Sequence, residues 1–291
     1  MRKGTRSITA GNCGMAASSQ EKKATFWRDP ALPGIELRLS SYDTPTFPKH
    51  SHDCYAIGLV ERGVSTFYYR GGYHRIGAGQ LALIPPDEVH SCNPEDGRCW
   101  RYRMWYIDPQ RLHELAEEVA GTGARPCFRS HVADDRTVAG HLLHFGSLLQ
   151  DCGSDAGERE EAMYASLSSL LIHLGECRPP TGTARQPAAV LLAEEYLRTN
   201  IEETVSLETL ASLSGLSPWH FLRLFKAAKG LPPHAFQTQL RIDRAKQLLR
   251  RGEEIADVAY STGFSDQCHF SRKFRQFTGA TPGQYRSARG C

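Results

Sequence analysis

The C-terminal third of the chain contains an internal repeat with a spacing of 48 or 49 residues. Ala211 and Gly215 recur 48 residues later as Ala259 and Gly263. A further set recurs after 49 residues and pairs Phe221, Arg223, Phe225, Gly230, Pro233 and Phe236 with Phe270, Arg272, Phe274, Gly279, Pro282 and Tyr285. Self-similarity at a fixed period indicates two copies of one supersecondary unit. Any fold of this region must therefore accommodate the same unit twice.

Each copy has the pattern of a helix-turn-helix. A first helix, predicted over Leu207–Leu213 and Ile255–Thr262, carries a small alanine where a second helix crosses closely. A glycine then takes the left-handed turn that ends this helix. The predicted N-caps of the second helices are Ser217 in one copy and Ser265 or Asp266 in the other. Two amphipathic hairpins in a plain bundle would leave the basic outer faces and the duplication unexplained.

The segment between the copies predicts one long helix over Pro232–Arg250. Its 19 residues span roughly 28 Å at 1.5 Å per residue, which is similar to the ~34 Å between successive major-groove faces of DNA. Residues from 186 onward carry 14 basic and 10 acidic side chains, a net +4, whereas the rest carries 21 and 22, a net −1. A basic C-terminal part favours an anionic partner.

Two strings of this region are similar to the AraC/XylS family of bacterial transcription regulators. They are IADVAYSTGFSDQCHFSRKFRQFTGATPGQYR over Ile255–Arg286 and SPWHFLRLFK over Ser217–Lys226. The resemblance covers about residues 188–287 and implies a double helix-turn-helix domain that binds double-stranded DNA. The DNA-binding residues that it implies are Trp219, His220, Leu222, Arg223, Lys226, Gln267, Cys268, His269, Arg272 and Lys273.

The side-chain chemistry of this set agrees with base recognition. Arginine can form two hydrogen bonds with guanine, and glutamine can do the same with adenine. Arg223 and Arg272 are equivalent in the repeat, so they are the leading candidates for base contacts. For each arginine a phosphate contact or a solvated charge remains the alternative, and for Trp219 it is packing between helices. Better candidates for phosphate contacts, which position the protein without specifying sequence, are Lys226, Lys229, Lys273 and Arg275.

The residues before the repeat divide into three further parts. Short strand-like runs bounded by glycine and proline predict a sandwich or small barrel, and they are Ile35–Leu39, Tyr55–Val60, Val64–Tyr69, Gln80–Ile84 and Arg101–Ile107. Residues 109–177 change to helical periodicity. The string RPPTGTARQP predicts a linker over 178–187. The predicted organisation is a disordered N-terminus at 1–24, a sensing and dimerisation domain at 25–177, the linker, and a DNA-binding domain at 188–291.

The strings FPKHSHDCYAIGLVERG over Phe47–Gly63 and GAGQLALIPPDEVHSCNP over Gly77–Pro94 resemble the cupin-type sensor half of AraC-family regulators. The resemblance implies a two-domain fold. Its N-terminal half is an all-β cupin or jelly-roll barrel with appended α-helices, and its C-terminal half is all-α, with two helix-turn-helix units joined by a long helix. It also implies a ligand pocket in the barrel mouth and dimerisation through the helices of 109–177.

His50, His52 and His90 are candidate ligands of a metal ion or of a small molecule. A His-x-His pair on one strand places both imidazoles on the same face, and a third histidine can complete a facial set. Metal-binding cupins usually add a glutamate three to five residues later, where this chain has Tyr55, Ala56 and Ile57. We therefore expect no metal and no cofactor. The predicted small-molecule contacts are His50, His52, Tyr55, Tyr68, His90 and Trp105.

These features predict a ligand-responsive transcription regulator that is not an enzyme. In the family that it resembles, such a protein is usually an activator, works as a homodimer and contacts RNA polymerase. No apolar run reaches the ~18 residues of a membrane span, and the N-terminus lacks the apolar core of a signal peptide. Nine scattered cysteines without a C-x-x-C pair favour free thiols. The expected location is the bacterial cytoplasm.

Two other functions would each explain part of the sequence. A metal-dependent cupin enzyme with a helical accessory domain would need a metal, and it leaves the helix-turn-helix duplication unexplained. A DNA-repair alkyl acceptor would need a cluster of zinc-bound cysteines, which the sequence does not offer.

Overall fold

The structure is a computed structural model that describes residues 23–42, 44, 47–95, 99–121, 123–151, 153–176 and 187–290. Most of the predicted disordered N-terminus and all of the predicted linker except Pro187 lie outside these residues. The predicted N-terminal boundary overlaps a strand, because Lys23 and Ala24 belong to the first element of the structure. None of the helices in the described residues combines the length and the hydrophobicity that a membrane span requires.

Two sheets form the N-terminal half. Their strands are β1 (Lys23–Arg28), β2 (Ile35–Tyr42), β3 (Tyr55–Arg62), β4 (Val64–Tyr69), β5 (Gly72–Gly77), β6 (Leu81–Ile84), β7 (His90–Pro94), β8 (Trp100–Ile107), β9 (Val132–Ala133) and β10 (Arg289–Gly290). The larger sheet has the order β10-β1-β2-β8-β3-β6-β9, and the smaller has the order β5-β4-β7. Each predicted strand-like run lies wholly or largely in a strand. The sequence did not predict the polar strands β5 and β7, because they lack a run of apolar residues.

The two faces of the larger sheet bury different hydrophobic clusters. Tyr102 and Met104 of β8 point into the barrel, where they join Phe67 of the smaller sheet. Trp105 and Ile107 point to the other face, since successive side chains of a strand alternate between faces. That face is covered by three helices, α1 (Pro109–Ala120), α2 (Arg136–Gln150) and α3 (Ala156–Leu174). The architecture is therefore a β-barrel with appended helices, as predicted.

The C-terminal half is helical and contains the predicted duplication. Its helices are α4 (Ala188–Thr199), α5 (Leu207–Leu213), α6 (Pro218–Lys229), α7 (Pro233–Arg250), α8 (Ile255–Ser261), α9 (Gln267–Thr278) and α10 (Pro282–Arg286). One hydrophobic cluster joins α4, α5 and α6 to Phe236 and Leu240 of α7. A second joins α8, α9 and α10 to Ile242 and Leu249 of the same helix. The long helix α7 thus contributes to the core of both helix-turn-helix units.

Strand β1 connects the two halves of the molecule. It pairs antiparallel with β2 of the barrel and parallel with β10 at the C-terminal end of the chain. Ala24 and Phe26 are buried in the core of the second helix-turn-helix unit, where the Phe26 ring meets Tyr285 edge-on at 5.0 Å. The sequence did not predict this strand, whose partners lie far along the chain.

Candidate DNA interface and ligand cavity

Helix α6 presents the predicted DNA-binding residues of the first unit on its outer face. Ser217 caps its N-terminus, because its hydroxyl accepts a hydrogen bond from the backbone N–H of His220 at 3.4 Å. Phe221 and Phe225 face the core and are fully buried. On the outer face, His220, Arg223 and Lys226 are exposed and Leu222 is half-buried. Trp219 lies in the first turn of α6, and its side chain is outside the described part of the structure.

Helix α9 repeats this arrangement in the second unit. Asp266, rather than Ser265, caps it, and its carboxylate accepts from the His269 backbone N–H at 2.7 Å. Phe270 and Phe274 are fully buried. The predicted base contacts Gln267, Cys268 and Arg272 are exposed, whereas His269 and Lys273 are half-buried. The His269 ring packs edge-on against Phe264 at 5.6 Å, so part of this side chain is occupied within the protein.

Lys229 does not fit the prediction of a phosphate contact. Its ammonium forms an ion pair with Glu194 of α4, and its side chain is only 14% exposed. The ammonium also lies 5.6 Å from the centre of the Phe236 ring. Lys229 therefore joins α4 to α6 and α7 within the first unit. A side chain held in this way is not available to DNA.

Three buried histidines meet inside the barrel. The ring centres of His50, His52 and His90 lie 4.6 to 4.9 Å apart, and one nitrogen of each ring lies within 4.8 Å of the others. Burial lowers the pKa of all three: that of His90 falls to about 4, and His50 and His52 fall well below their usual value, with mutual repulsion adding to burial. The three imidazoles are therefore neutral at pH 7.

A buried arginine faces the same cavity. Arg38 of β2 is 3% exposed. Its guanidinium donates hydrogen bonds to Ser40 Oγ at 2.7 Å, Tyr42 Oη at 2.6 Å and Tyr106 Oη at 3.2 Å. It makes no ion pair with a carboxylate among the described residues. Four aromatic rings with centres 5.2 to 5.8 Å away surround it through cation–π contacts. A charge buried without a counter-ion is costly, so this residue marks a place where an anion would be stabilised.

The histidines and Arg38 line the smallest of three adjoining cavities. This cavity, about 20 Å³, is bounded by them together with Tyr102 and Tyr106. Tyr106 and His52 also line a cavity of about 50 Å³ between the barrel and α7. Tyr106 and Glu36 then line an outer cavity of about 440 Å³ between the two halves of the molecule. The cavities share wall residues, so the histidines lie next to the boundary between the two halves.

Polar contacts cross the boundary between the halves. Glu36 of β2 accepts from Arg250 Nη2 of α7 at 3.2 Å and from Tyr285 Oη of α10 at 3.1 Å. Tyr42 Oη donates to the carbonyl of Gly279, the C-cap of α9, at 3.1 Å. Ser51, between two of the histidines, exchanges two hydrogen bonds of 2.9 Å with Gln239 of α7. The ligand cavity and the DNA-binding half are therefore in direct contact.

Three predicted ligand contacts lie away from the histidines. Tyr55 and Trp105 are buried in the cluster beneath the helices, and the Tyr55 hydroxyl bonds to His113 Nε2 at 3.1 Å. Tyr68 is half-buried, and Lys49 Nζ lies 3.3 Å from its ring centre. Strand alternation separates Tyr55 and Trp105 from the cavity, because each points to the opposite face of the sheet. His50, His52 and His90 are brought together.

The cavity residues that sequence reasoning missed are Arg38, Tyr102 and Tyr106. A signal for Arg38 was present, because charged and apolar residues alternate in the string IELRL of β2. Both tyrosines lie in the predicted strand run Arg101–Ile107. Their inward orientation follows from the pairing of β8 with β2 and β3, which local sequence does not reveal.

Two families match successive parts of this architecture. An AraC-like ligand binding domain matches residues 32–167, and a helix-turn-helix domain matches residues 210–288. The uncharacterised transcriptional regulator YbfI of Bacillus subtilis strain 168 is 33% identical over 250 residues, which cover 86% of this chain and 90% of YbfI. The chain belongs to the AraC family of transcription regulators. It is a DNA-binding regulator with an N-terminal ligand-binding domain, as the repeat and the resemblance predicted.

Other relatives agree with this assignment. The transcriptional activator RhaS of Klebsiella pneumoniae strain 342 is 26% identical over 259 residues, which cover 88% of this regulator and 92% of RhaS. The crystal structure of ToxT from Vibrio cholerae O395 has the same fold, with a TM-score of 0.55 at 11% identity. That similarity covers 87% of this regulator and 97% of ToxT. YbfI and RhaS are named as transcription regulators rather than as enzymes.

Proposed function

We propose that α6 and α9 bind successive major-groove segments of one operator, with Arg223 and Arg272 as the principal base contacts. The observation that carries this proposal is their placement: both arginines are exposed at equivalent positions of equivalent helices. Both helices pack on the single helix α7, which holds them in one rigid arrangement. Lys226 and Arg275, exposed near the C-terminal ends of the two helices, supply phosphate contacts that set the register.

The test is selection of a random DNA duplex library on the full-length protein. Binding of the selected site is then measured for wild type, Arg223→Ala, Arg272→Ala and the control Arg136→Ala, an exposed arginine of α2. Each of the first two variants should lose about 1–3 kcal/mol of affinity and relax the preference in a different half of the site. A uniform loss on every sequence, with the salt slope reduced by about 1, would instead identify phosphate contacts.

We propose further that the effector of this regulator is a small organic anion that reaches Arg38 through the cavity between the two halves. Support comes from the buried guanidinium without a carboxylate partner and from the three neutral histidines beside it. Arg38 also lies against the C-terminal end of α9, where the helix dipole favours a positive charge. A bound anion competes for that charge and changes the contact between barrel and recognition helix. ToxT, which shares the fold, has been crystallised with an unsaturated fatty acid.

A thermal-shift screen of the full-length protein tests the charge of the effector. Organic acids are compared with the amides and alcohols of the same carbon skeletons. The acids alone should raise the melting temperature of wild type. Arg38→Gln should abolish the shift, whereas Arg62→Gln, at an exposed arginine of β3, should retain it. Equal shifts with neutral analogues would contradict an anionic effector.

We propose that the protein forms a homodimer through the outer faces of α2 and α3. Both helices expose apolar side chains to solvent, with Leu143, Tyr164 and Ile172 at 38%, 42% and 62% exposure. Ile172→Lys should raise the dissociation constant of the dimer in sedimentation analysis. The control Tyr73→Lys, at a 69% exposed residue of β5, should leave it unchanged. Equal sedimentation of all three proteins would place any dimer contact elsewhere.

We propose finally that the protein activates transcription in the bacterial cytoplasm by contact with RNA polymerase. Support comes from RhaS, which is named as a transcriptional activator. Transcription in vitro from a promoter that carries the selected site tests the direction of control. Added regulator should increase the yield of transcript, and a decrease would make the protein a repressor.

A further inference from the structure

The three buried histidines have ring nitrogens without hydrogen-bond partners. His50 Nδ1 lies 2.7 Å from the Pro48 carbonyl, and His90 Nδ1 lies 2.8 Å from the Glu88 carbonyl. A carbonyl only accepts, so Nδ1 carries the proton in both rings and Nε2 keeps its lone pair. The His52 ring makes no hydrogen bond within the described residues. The three residues line one cavity, so these lone pairs are available to a ligand.

The backbone holds these histidines in place before any ligand binds. The N–H and carbonyl groups of His50 and His90 pair reciprocally at 3.0 and 2.8 Å. The carbonyl of His52 accepts from the Asp87 N–H at 2.7 Å. The His-x-His segment and the segment that ends at His90 are thus tied together on both sides of the cluster. An imidazole whose Nδ1–H is held by a carbonyl is the usual arrangement of a metal-bound histidine.

The spacing of the three rings suits one metal ion. Bonds of about 2.0–2.1 Å in a tetrahedral site place the nitrogens roughly 3.3 Å apart. The three nitrogens lie within 4.8 Å of one another. Small side-chain rotations that shorten each nitrogen–nitrogen distance by about 1.5 Å or less therefore bring them to this separation. Three neutral imidazoles with no thiolate are ligands that suit zinc, copper, iron or nickel.

The missing glutamate does not prevent such a site. The position that it would take is Ala56, which packs in the barrel core, so the protein supplies three ligands and leaves a fourth position open. That position faces the cavity lined by Arg38, Tyr102 and Tyr106. Because Arg38 is also positive, the fourth ligand is an anion or a hydroxide rather than a second cationic group.

We propose that His50, His52 and His90 bind one divalent transition-metal ion in an open, three-histidine site. This inference departs from the prediction of no metal, and it requires nothing of the proposed operator contacts. Its position joins the metal to the DNA-binding half, because Ser51 between two of the ligands bonds to Gln239 of α7 and the His50 ring lies 6.4 Å from that of Phe277 of α9. A metal bound here stabilises this boundary between the halves.

The test measures metal content in full-length protein without an affinity tag. The protein is stripped with a chelator, dialysed against a slight excess of Zn²⁺, freed of unbound ion and analysed by mass spectrometry. Wild type should retain one ion per chain. His52→Gln and His90→Gln should lose more affinity than the ~10–100-fold that removal of an outer hydrogen-bond partner costs. Circular dichroism of the stripped proteins verifies that the variants are folded.

Two controls distinguish this site from other histidines. His144→Gln changes an exposed histidine of α2. His131→Gln removes one member of a second histidine pair, in which His74 Nε2 and His131 Nε2 are 3.0 Å apart. Both controls should retain zinc and should show the visible absorption of four-coordinate Co²⁺ after loading with cobalt. Wild type that retains no more zinc than His52→Gln overturns the proposal, and so does a loss in His131→Gln equal to that in His52→Gln. None of these readouts involves DNA.

Discussion

Asp29 and Arg159 form a buried ion pair that joins the end of β1 to helix α3. Arg159 Nε lies 2.6 Å from Asp29 Oδ2, and the two side chains are 9% and 4% exposed. Arg159 Nη1 also donates to the Ser154 carbonyl at 2.6 Å, and Asp29 Oδ1 accepts from the Ala31 N–H at 2.8 Å. At the scale of single residues, this pair fixes a helix of the sensor domain to the strand that leads into the DNA-binding half.

Replacing one member of this pair should destabilise the whole protein. Asp29→Asn leaves the guanidinium buried without a counter-charge, so we expect the free energy of unfolding to fall by about 3–5 kcal/mol. Urea denaturation measures the loss. Glu117→Gln is the matched control, because its pair with Arg125 has side chains 38% and 44% exposed and should contribute little to stability. Similar losses in both variants would show that burial of the first pair has no effect on stability.

Among single elements, the C-cap of α9 lies against the sensor domain, whereas the turn glycine of the first unit does not. Gly279 caps α9 with φ +73°, and a Cβ added there would overlap Tyr42 Oη and Arg38 Nη2. Gly215, the turn glycine of the first unit, has φ +65° with nothing within 4 Å of an added Cβ. The two glycines therefore share a backbone conformation but differ in their surroundings.

The pair Gly279→Ala and Gly215→Ala separates backbone strain from domain contact. Gly215→Ala should cost only the ~1–2 kcal/mol of a left-handed residue with a side chain. Gly279→Ala should cost more and should also alter the response to a ligand of the cavity, because the new methyl displaces Arg38 and Tyr42. Thermal unfolding with and without that ligand measures both effects. If the ligand changed the melting temperature of both variants equally, the α9 cap and the barrel would be uncoupled.

Strand β1 is the second element that links the halves. The Phe26 side chain is 2% exposed and packs in the core of the second helix-turn-helix unit. Phe26→Ala should lower the free energy of unfolding by about 3–5 kcal/mol, as other buried phenylalanines do. Hydrogen exchange should show faster opening of α8 and α9 than of α5 and α6. Equal changes in both units would argue against a specific role of β1 in the second one.

At the scale of the whole molecule, Glu36 holds barrel, long helix and last helix together. Its carboxylate lies 2.6 Å from Arg28 Nε and 3.2 Å from Arg250 Nη2 and accepts from Tyr285 Oη. Burial acts to raise the pKa of Glu36, but Arg250 and Arg28 outweigh it and hold the pKa below its ordinary value of 4.5. A lowered folded-state pKa stabilises the protein above the unfolded-state value, and this contribution disappears as the pH falls through the folded-state value.

Glu36→Gln should therefore act in a pH-dependent way. At pH 7 we expect the variant to lose roughly 1–3 kcal/mol of stability, because two partly exposed arginines keep only a neutral acceptor. The difference from wild type should shrink as the pH falls through and below the ordinary value of 4.5. Calorimetry across this range measures it. Glu88 pairs with Arg70, whose side chain is 64% exposed. Glu88→Gln should therefore show little effect at any pH. A difference for Glu36→Gln that is constant with pH would contradict the ionic role.

Local signals in the sequence account for the secondary structure of the DNA-binding half and for its duplication. Helix caps, turn glycines and apolar periodicity are local signals, and the predicted helix Leu207–Leu213 has the observed bounds of α5. The faces of α6 and α9 followed from the spacing of Phe221, Phe225, Phe270 and Phe274. The strand runs of the barrel were likewise readable, because each is a short apolar stretch between turn residues.

The set of side chains that share the ligand cavity depends instead on how distant strands pair. Which face of a strand is inside depends on register, so Trp105 could not be separated from Tyr106 before β8 was paired with β2 and β3. Arg38 and the histidines meet because distant strands close into a barrel. The entry of β1 into the core of the second unit and the contacts of Glu36 join residues more than 200 positions apart. No local pattern encodes such contacts, since they exist only when the two halves are packed together.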